Sequence, residues 1–371
     1  MNGLRTSDVV IAGGGIIGLS LGLELLRRGL SVVVLERDQA MQSASWAAGG
    51  MLAARDPENP SALLPLLLRS LELYPAYLER VHVLSGQPVP IRTHRTLQQV
   101  GPSHAAAGGV AFDDVKKWIP GFVGPDEKFI WLEEDSLAPR DLCRALPPAF
   151  LAEDGVLLEG TPALGVERSS SGVTIETARE RIHAAAFVNC CGAWAGEKRL
   201  GGVPVEPLKG QMVAVALAAE RLQCVLRTPN FYAIPRGDGG VTIGSTLEHA
   251  GFDLTVQEQK ITALLHAAAA LLPEIKQSPR LETWAGFRPG TPDGLPILGA
   301  GEAEHCWHAT GHYWNGILLA PVTARVMAQL MFGEVPDVAL EAFSPARFRP
   351  ETVSDASFSV SSIGKYPSSS G

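Results

Sequence analysis

A chain of 371 residues, 46% hydrophobic and 19% charged, carries enough apolar material for a large core and is long enough for two domains. Its net charge of −8 and pI near 5.6 argue against nucleic acid or an anionic membrane as partner, and no Lys/Arg block offsets that balance. Five cysteines, Cys143, Cys190, Cys191, Cys224 and Cys306, are odd in number and show no C-x-x-C spacing, so we expect buried free thiols and neither disulfides nor a metal centre.

Residues 8–36 read as strand, glycine turn, helix and second strand ending in an acid. Gly13, Gly15 and Gly18 satisfy G-x-G-x-x-G directly after an apolar run. In that context the first glycine allows the turn, the second lets backbone approach a pyrophosphate, and the third lets the helix lie close on the strand. The helix N-terminus presents free N–H groups and positive dipole to phosphate, and Glu36 is placed to take ribose hydroxyls. The stretch predicts a bound adenine dinucleotide, with NAD and FAD both open. Residues 9–23 are uncharged, but three consecutive glycines, Glu24 and the lack of an A-x-A site argue against a signal or membrane segment, and the expected location is cytoplasmic.

Residues 37–51 are rich in small side chains and too broken for a strand. They form either a flexible loop with a helix start or backbone held against something large. A 3.6-residue apolar pattern predicts a packed helix over 61–84. Short β-like runs at 89–92, 96–100 and 129–132 suggest an antiparallel layer. A helix follows at 140–150, then strands at 156–159, 165–168 and 173–177. Residues 185–196 read as a buried strand of the first sheet running into a glycine turn and helix. Strands at 211–217, 231–234 and 240–244 precede a helix at 261–272 that Pro273 ends, and another helix runs to about Phe332. Beyond Pro350 the Ser-rich tail, 350–371, is expected to be disordered.

Arg288 sits in an apolar run fixed by prolines, and a buried guanidinium there needs a partner. That partner is either an internal carboxylate or the carboxylate of a substrate held by the planar fork. Tyr232 alternates with apolar neighbours, the pattern of a packed core tyrosine. His312 lies between Gly311 and Gly316 with no second ligand at metal spacing, which suits a backbone turn near a cofactor. Neither G-x-S-x-G nor a P-loop is present.

Four segments together carry a resemblance: Gly13-Gly-Gly-Ile-Ile-Gly18, Ala47-Ala-Gly-Gly-Met51, the stretch from Trp284 to Pro296, and Gly311-His-Tyr-Trp-Asn-Gly-Ile-Leu-Leu-Ala-Pro321. In this order, and across nearly the whole chain to Phe332, the sequence resembles the glycine oxidase family of the D-amino-acid oxidase superfamily. The resemblance implies an α/β fold in which a Rossmann-like FAD-binding domain (1–84, 138–203 and 283–345) is interleaved with an antiparallel-sheet substrate domain (85–137 and 204–282). It implies noncovalent FAD, since Cys306 does not match an attachment site. The implied reaction oxidises glycine, sarcosine or a small D-amino acid with O2 to a 2-oxo acid, ammonia or amine and H2O2. Thiamine biosynthesis and a homo-oligomer are implied as well.

By the same motifs, Arg288 is expected to bind the substrate carboxylate and Tyr232 to line the pocket and hydrogen-bond the substrate. Beyond the three glycines, Ile16, Ile17, Glu36, Arg37, Ala44, Ser45, Gly49, Gly50 and Met51 are expected to contact FAD, with Val166 receiving the adenine through its backbone. His312, Tyr313, Trp314, Asn315, Gly316, Ile317 and Leu318 are expected to face the isoalloxazine. Trp314 departs from the family pattern, which often has Arg there: if the family contact is made by the backbone carbonyl, the indole only reshapes the pocket, and if by the side chain, carboxylate binding weakens and the preferred amine differs; the otherwise intact motif favours the backbone. Two other readings stand beside this one: a dehydrogenase of the same fold with a different electron acceptor, and a flavin-binding protein whose active site has decayed.

Overall fold

The computed structural model describes residues 4–101, 110–124 and 128–349; the tail expected to be disordered, 350–371, lies outside the described residues. The chain begins with β1 (Leu4–Ala12), α1 (Ile16–Arg27), β2 (Val32–Leu35), a single turn α2 (Ala44–Ala47), and α3 (Leu64–Ser85). It continues through β3 (Ile91–Thr93), β4 (Thr96–Gln99), α4 (Phe112–Trp118), β5 (Phe129–Leu132), β6 (Ser136–Leu137) and α5 (Pro139–Ala152). Then come β7 (Val156–Leu158), β8 (Gly165–Ser169), β9 (Gly172–Glu176), β10 (Arg181–Asn189), β11 (Glu206–Ala216), β12 (Val225–Arg227), β13 (Tyr232–Pro235) and β14 (Gly240–Gly244). The last elements are α6 (Glu258–Leu271), β15 (Arg280–Gly290), β16 (Ile297–Ala300), β17 (Cys306–Thr310) and α7 (Gly316–Met331).

The fold is mixed α/β. One sheet runs β16-β17-β10-β1-β2-β7, with the β8–β9 hairpin attached through β10. Its centre is parallel, β1 pairing in that sense with both β2 and β10, and β10 with β17. Both faces of this centre are buried. Val9 and Ile11 of β1 pack with Leu19, Leu67, Leu146 and Leu319 from four helices, whereas Val10 and Ala12 pack with Val173 and Ile175 of β9 on the other face. That two-sided burial is why the strands read as unbroken apolar runs. β1 and β10 each begin about four or five residues before their expected starts because they pair with each other from Leu4↔Arg181 onward. After β10 the expected helix is replaced by a 3-10 turn, Gly192–Trp194.

The second sheet runs β15-β11-β14-β13-β12-β4-β5 and is antiparallel except between β12 and β4. Alternation divides its side chains. Val213, Val215, Ile243, Ala233, Leu226 and Leu97 pack on Ile261, Leu264 and Val115 of α6 and α4. The opposite face carries Trp284, Met212, Gly244, Tyr232, Arg227 and Gln98, aligned across six strands by the pairings Trp284↔Met212, Met212↔Gly244, Gly244↔Tyr232, Tyr232↔Arg227 and Arg227↔Gln98. Residue 283, an expected domain boundary, falls inside β15, which pairs with β11 from Glu206↔Gly290 to Val215↔Arg280, so the strand up to residue 290 is part of the second sheet. No helix of the described residues is long and apolar enough to cross a membrane.

Candidate active site and dinucleotide cleft

A cavity of about 1130 Å³ lies between the two sheets. That volume exceeds the range of about 300–1,000 Å³ for ordinary ligand sites, as a dinucleotide together with a substrate requires. Of the residues singled out in the sequence, Gly13, Gly15, Ile16, Ile17, Glu36, Arg37, Ala44, Ser45, Gly49, Gly50, Met51, Tyr232, Arg288 and the run from His312 to Ile317 all line it. Gly18, Val166 and Leu318 do not. Gly18 packs beneath the turn, Leu318 is fully buried in the helical core, and Val166 packs on the outer face of the first sheet while Pro162 and Ala163, just before it, reach the wall.

At one end the cleft is made of backbone. Gly13 has φ +108, and a Cβ there would run into the Cys190 carbonyl; a Cβ at Gly18 would run into the carbonyl of Gly13. Gly15 is the N-cap of α1 and has no side chain of its own to cap it, so helix amides beyond that of Ile16 open into the cavity. The Ser45 hydroxyl takes the Ile16 N–H at 3.0 Å and ties the small-residue loop to this turn. The Glu36 carboxylate accepts N–H groups from Gly14 (2.8 Å) and Asp38 (3.0 Å), which holds it at the end of β2 beside the turn. The Arg37 guanidinium lies 3.8 Å from the centre of the Trp194 ring, a cation–π contact on the same wall. A glycine N-cap at the helix start, a turn closed to side chains and a carboxylate at the strand end fit an adenine dinucleotide.

Side chains build the opposite end. Arg288 rises from β15 over Gly210, where a Cβ would collide with the guanidinium. Its Nη1 donates to the Thr246 carbonyl at 3.2 Å and its Nη2 to the Ser245 hydroxyl. Among the described residues no ion pair includes Arg288, so the internal-carboxylate alternative is not realised and donors of its five remain for another acceptor. Tyr232 leans across Gly244, and its hydroxyl contacts Met212 Sδ at 3.7 Å. The phenol and the guanidinium thereby converge over β11 and β14. Tyr232 is half-buried in the cavity wall, not packed in the core as its alternation alone predicts.

The third wall is the start of α7. Asn315 is its N-cap without a side-chain cap bond, so a second helix N-terminus opens into the cleft. His312 is buried, with Nε2 3.0 Å from the Thr323 hydroxyl, and burial pushes its imidazole down to about 3, so it stays neutral at physiological pH. Tyr313 and Trp314 stack at 4.2 Å between ring centres. Trp314 is 44% exposed, and its indole N–H shares Asn59 Oδ1 with the Asn315 amide, at 3.3 and 3.0 Å.

Several wall residues escaped sequence reading: Met212, Gln98, Arg227 and Trp194 line the cleft as well. Strand alternation carries the signal for the first three, but only once the register across six strands is known. Arg236 also went unnoticed. It is half-buried, with its guanidinium desolvated and pushed down to about 10, and it donates to the carbonyls of Gly49 (2.9 Å) and Leu137 (3.1 Å), fixing the segment before Met51. All five cysteines are free; four are buried and Cys191 is partly exposed on the cleft wall. Among the described residues no group of His, Cys, Asp and Glu is placed to hold a metal ion.

Comparison with known proteins agrees with this architecture. A family profile described as FAD dependent oxidoreductase matches residues 8–330. A glycine oxidase of Pseudomonas aeruginosa is 34% identical over 358 residues, covering 91% of this chain and 98% of the relative. The bifunctional protein ThiO/ThiG of a Synechocystis species is 36% identical over 94% of this chain, which spans 55% of that longer protein. Among solved structures, the glycine oxidase of Geobacillus kaustophilus superposes with a TM-score of 0.87 at 30% identity, over 93% of this chain and 100% of that one. FAD, not NAD, is therefore the dinucleotide the cleft serves, and the chain belongs to the FAD dependent oxidoreductase family as a glycine-oxidase-like enzyme.

Proposed function

We propose that the protein oxidises a small amino acid, of the class of glycine, sarcosine or D-alanine, to the 2-oxo acid and ammonia or amine, with O2 reduced to H2O2. The observation that carries this reading is Arg288: a guanidinium aimed into a cofactor-sized cleft, with hydrogen bonds to one carbonyl and one hydroxyl and no carboxylate partner among the described residues. A substrate carboxylate is the ligand its planar fork suits.

Bound FAD supplies the acceptor for the two electrons and the hydrogen leaving Cα. The chain's own part is positioning. Arg288 fixes the carboxylate, and the Tyr232 hydroxyl, over the neighbouring strand, gives a second hydrogen-bonding point, so that two anchors set the orientation of Cα. His312 is held neutral against Thr323 and brings no charge to the site. Met212 and the backbone of residues 49–51 narrow the space around the substrate. The names of the relatives support glycine as the first substrate to try and thiamine biosynthesis as the setting. Trp314 then shapes the mouth, tied to Asn59. FAD is held noncovalently in this reading, and acid precipitation is expected to leave the yellow flavin in the supernatant.

The test is peroxide release on adding glycine, sarcosine and D-alanine to the FAD-loaded protein, followed by Arg288→Ala. We expect turnover with at least one of them, and a loss of about 2 to 5 kcal/mol in kcat/KM in the variant, mostly through KM. Silence with all three amines, or an unchanged KM in the variant, removes the assignment.

A further inference from the structure

On the sheet that carries Arg288 a second arginine faces the cleft, and its setting is the opposite of that of Arg288. Arg227 is the direct cross-strand neighbour of Tyr232 and is 6% exposed. Its Nε donates to Gln98 Oε1 and lies 3.3 Å from Asp56 Oδ2; Nη2 stands 3.0 Å from Glu134 Oε2. Two carboxylates thus face one guanidinium, and the group carries no spare positive charge. Burial also raises the Glu134 carboxyl above its usual range. Yet one donor group of Arg227 is not used up: Nη2 is shut in against Glu134, but Nη1 has only the sulfur of Met51 at 3.9 Å. A sulfur is a weak acceptor, so Nη1 remains available beside Met51 at the wall of the cleft.

The separation of the two arginines is set by the sheet. The Arg288 guanidinium reaches Ser245, at the end of β14, whereas Arg227 springs from β12, two ladders away, or about 10 Å at roughly 4.8 Å per ladder. Glycine held at Arg288 stops well short of that distance. A chain of three or four further heavy atoms beyond Cα spans it. Resting on the amino-acid oxidase reading above, we infer that the substrate is an amino acid longer than glycine whose side chain ends in a neutral, oxygen-bearing polar group, and that Arg227, set in place by Gln98, donates to that oxygen. An amide or hydroxyl oxygen satisfies Nη1 without adding charge. A carboxylate terminus brings a third anion to Asp56 and Glu134, and an ammonium terminus cannot accept from a guanidinium.

Steady-state peroxide release by the FAD-loaded wild-type protein decides this with glycine, D-alanine, D-norvaline, D-glutamine, D-glutamate and D-lysine. We expect kcat/KM for D-glutamine to exceed that for glycine, and for its apolar counterpart D-norvaline, by tenfold or more. Equal or better turnover of glycine overturns the inference and leaves the oxidase reading intact; preference for D-glutamate or D-lysine overturns the neutral terminus; silence with all six overturns the oxidase reading itself. In Arg227→Met the ratio of D-glutamine to glycine in kcat/KM is expected to fall at least tenfold. Because that change leaves Glu134 without its cation, flavin content and a thermal melt accompany the assay. Gln98→Leu, which keeps the ion pairs and frees the guanidinium to turn, is expected to lower the same ratio several-fold. A ratio unmoved in a folded Gln98→Leu protein that still binds flavin removes Gln98 and Arg227 from substrate selection.

Discussion

The two ends of the cleft are built by opposite means. At the dinucleotide end the protein offers mainly backbone: Gly13 and Gly18, which admit no Cβ, a helix start whose N-cap is glycine, and one carboxylate. At the substrate end it offers side chains, Arg288, Tyr232, Met212, Arg227 and Gln98, each from a different strand of one sheet. A site made of backbone is specified by what must be absent at fixed spacing, so it fits into one short stretch of sequence. A site made of side chains is specified by register, so its parts are scattered from residue 98 to residue 288.

The sharpest way to break this contrast is to place a side chain where the first end permits none. In Gly18→Val the new Cβ meets the Gly13 carbonyl, a backbone atom that cannot swing aside, so we expect a loss of about 3 kcal/mol or more together with loss of retained flavin. Gly29, φ +86, is the control: no atom lies within 4 Å of its Cβ position, and Gly29→Ala should cost only about 1 kcal/mol of backbone strain. Urea midpoints and flavin absorbance on the two purified variants check both. Equal losses would refute a turn limited by close approach.

At the substrate end a smaller effect is expected from a milder change. Arg288→Lys keeps a cation but loses the fork that reaches Ser245 and Thr246 at once, and kcat/KM should drop by about 2 kcal/mol, less than in Arg288→Ala. A Lys variant as poor as the Ala variant would mean that geometry, not charge, carries the whole contact.

The same contrast explains what could be read in advance. The βαβ unit and most strands and helices were legible because local apolar periodicity follows burial. Arg288 and Tyr232 were reached through motif resemblance; composition left the arginine between an internal and an external partner. The choice needed the absence of an ion pair to Arg288 among the described residues, which only packing shows. Arg227 remained invisible because it stands out only as the neighbour of Tyr232, and that pairing is a matter of register. The strand β15 went unread for a related reason: its long pairing with β11 is nonlocal and leaves no local mark.

Between the two ends lies His312, and pH offers a probe of it. Burial pushes its imidazole down from the ordinary 6.5 to about 3, and that of His308, also buried, down to about 4. Below pH 6.5 the unfolded chain binds protons that the native protein refuses, so stability falls as pH drops, by about 1.4 kcal/mol per unit for each imidazole down to about 4. His312→Gln should flatten the slope of unfolding free energy between pH 6.5 and 5 by one proton. An unchanged slope would mean that His312 already takes up its proton in the native state.

The smallest expected effect sits where the cleft's dinucleotide end is stitched to its middle. Ser45 lies 29 residues from Ile16 in the chain yet takes its N–H at 3.0 Å, so one hydroxyl links the start of α1 to the loop that leads to Gly49, Gly50 and Met51. Removing it in Ser45→Ala leaves a buried amide without a partner, at about 1 kcal/mol, the usual cost of a lost helix cap. If the link serves only the fold, the urea midpoint should shift and the flavin dissociation constant should not. If it also holds the loop against the cofactor, the constant should rise about fivefold in step with that 1 kcal/mol, and the backbone-built end then depends on one side chain after all.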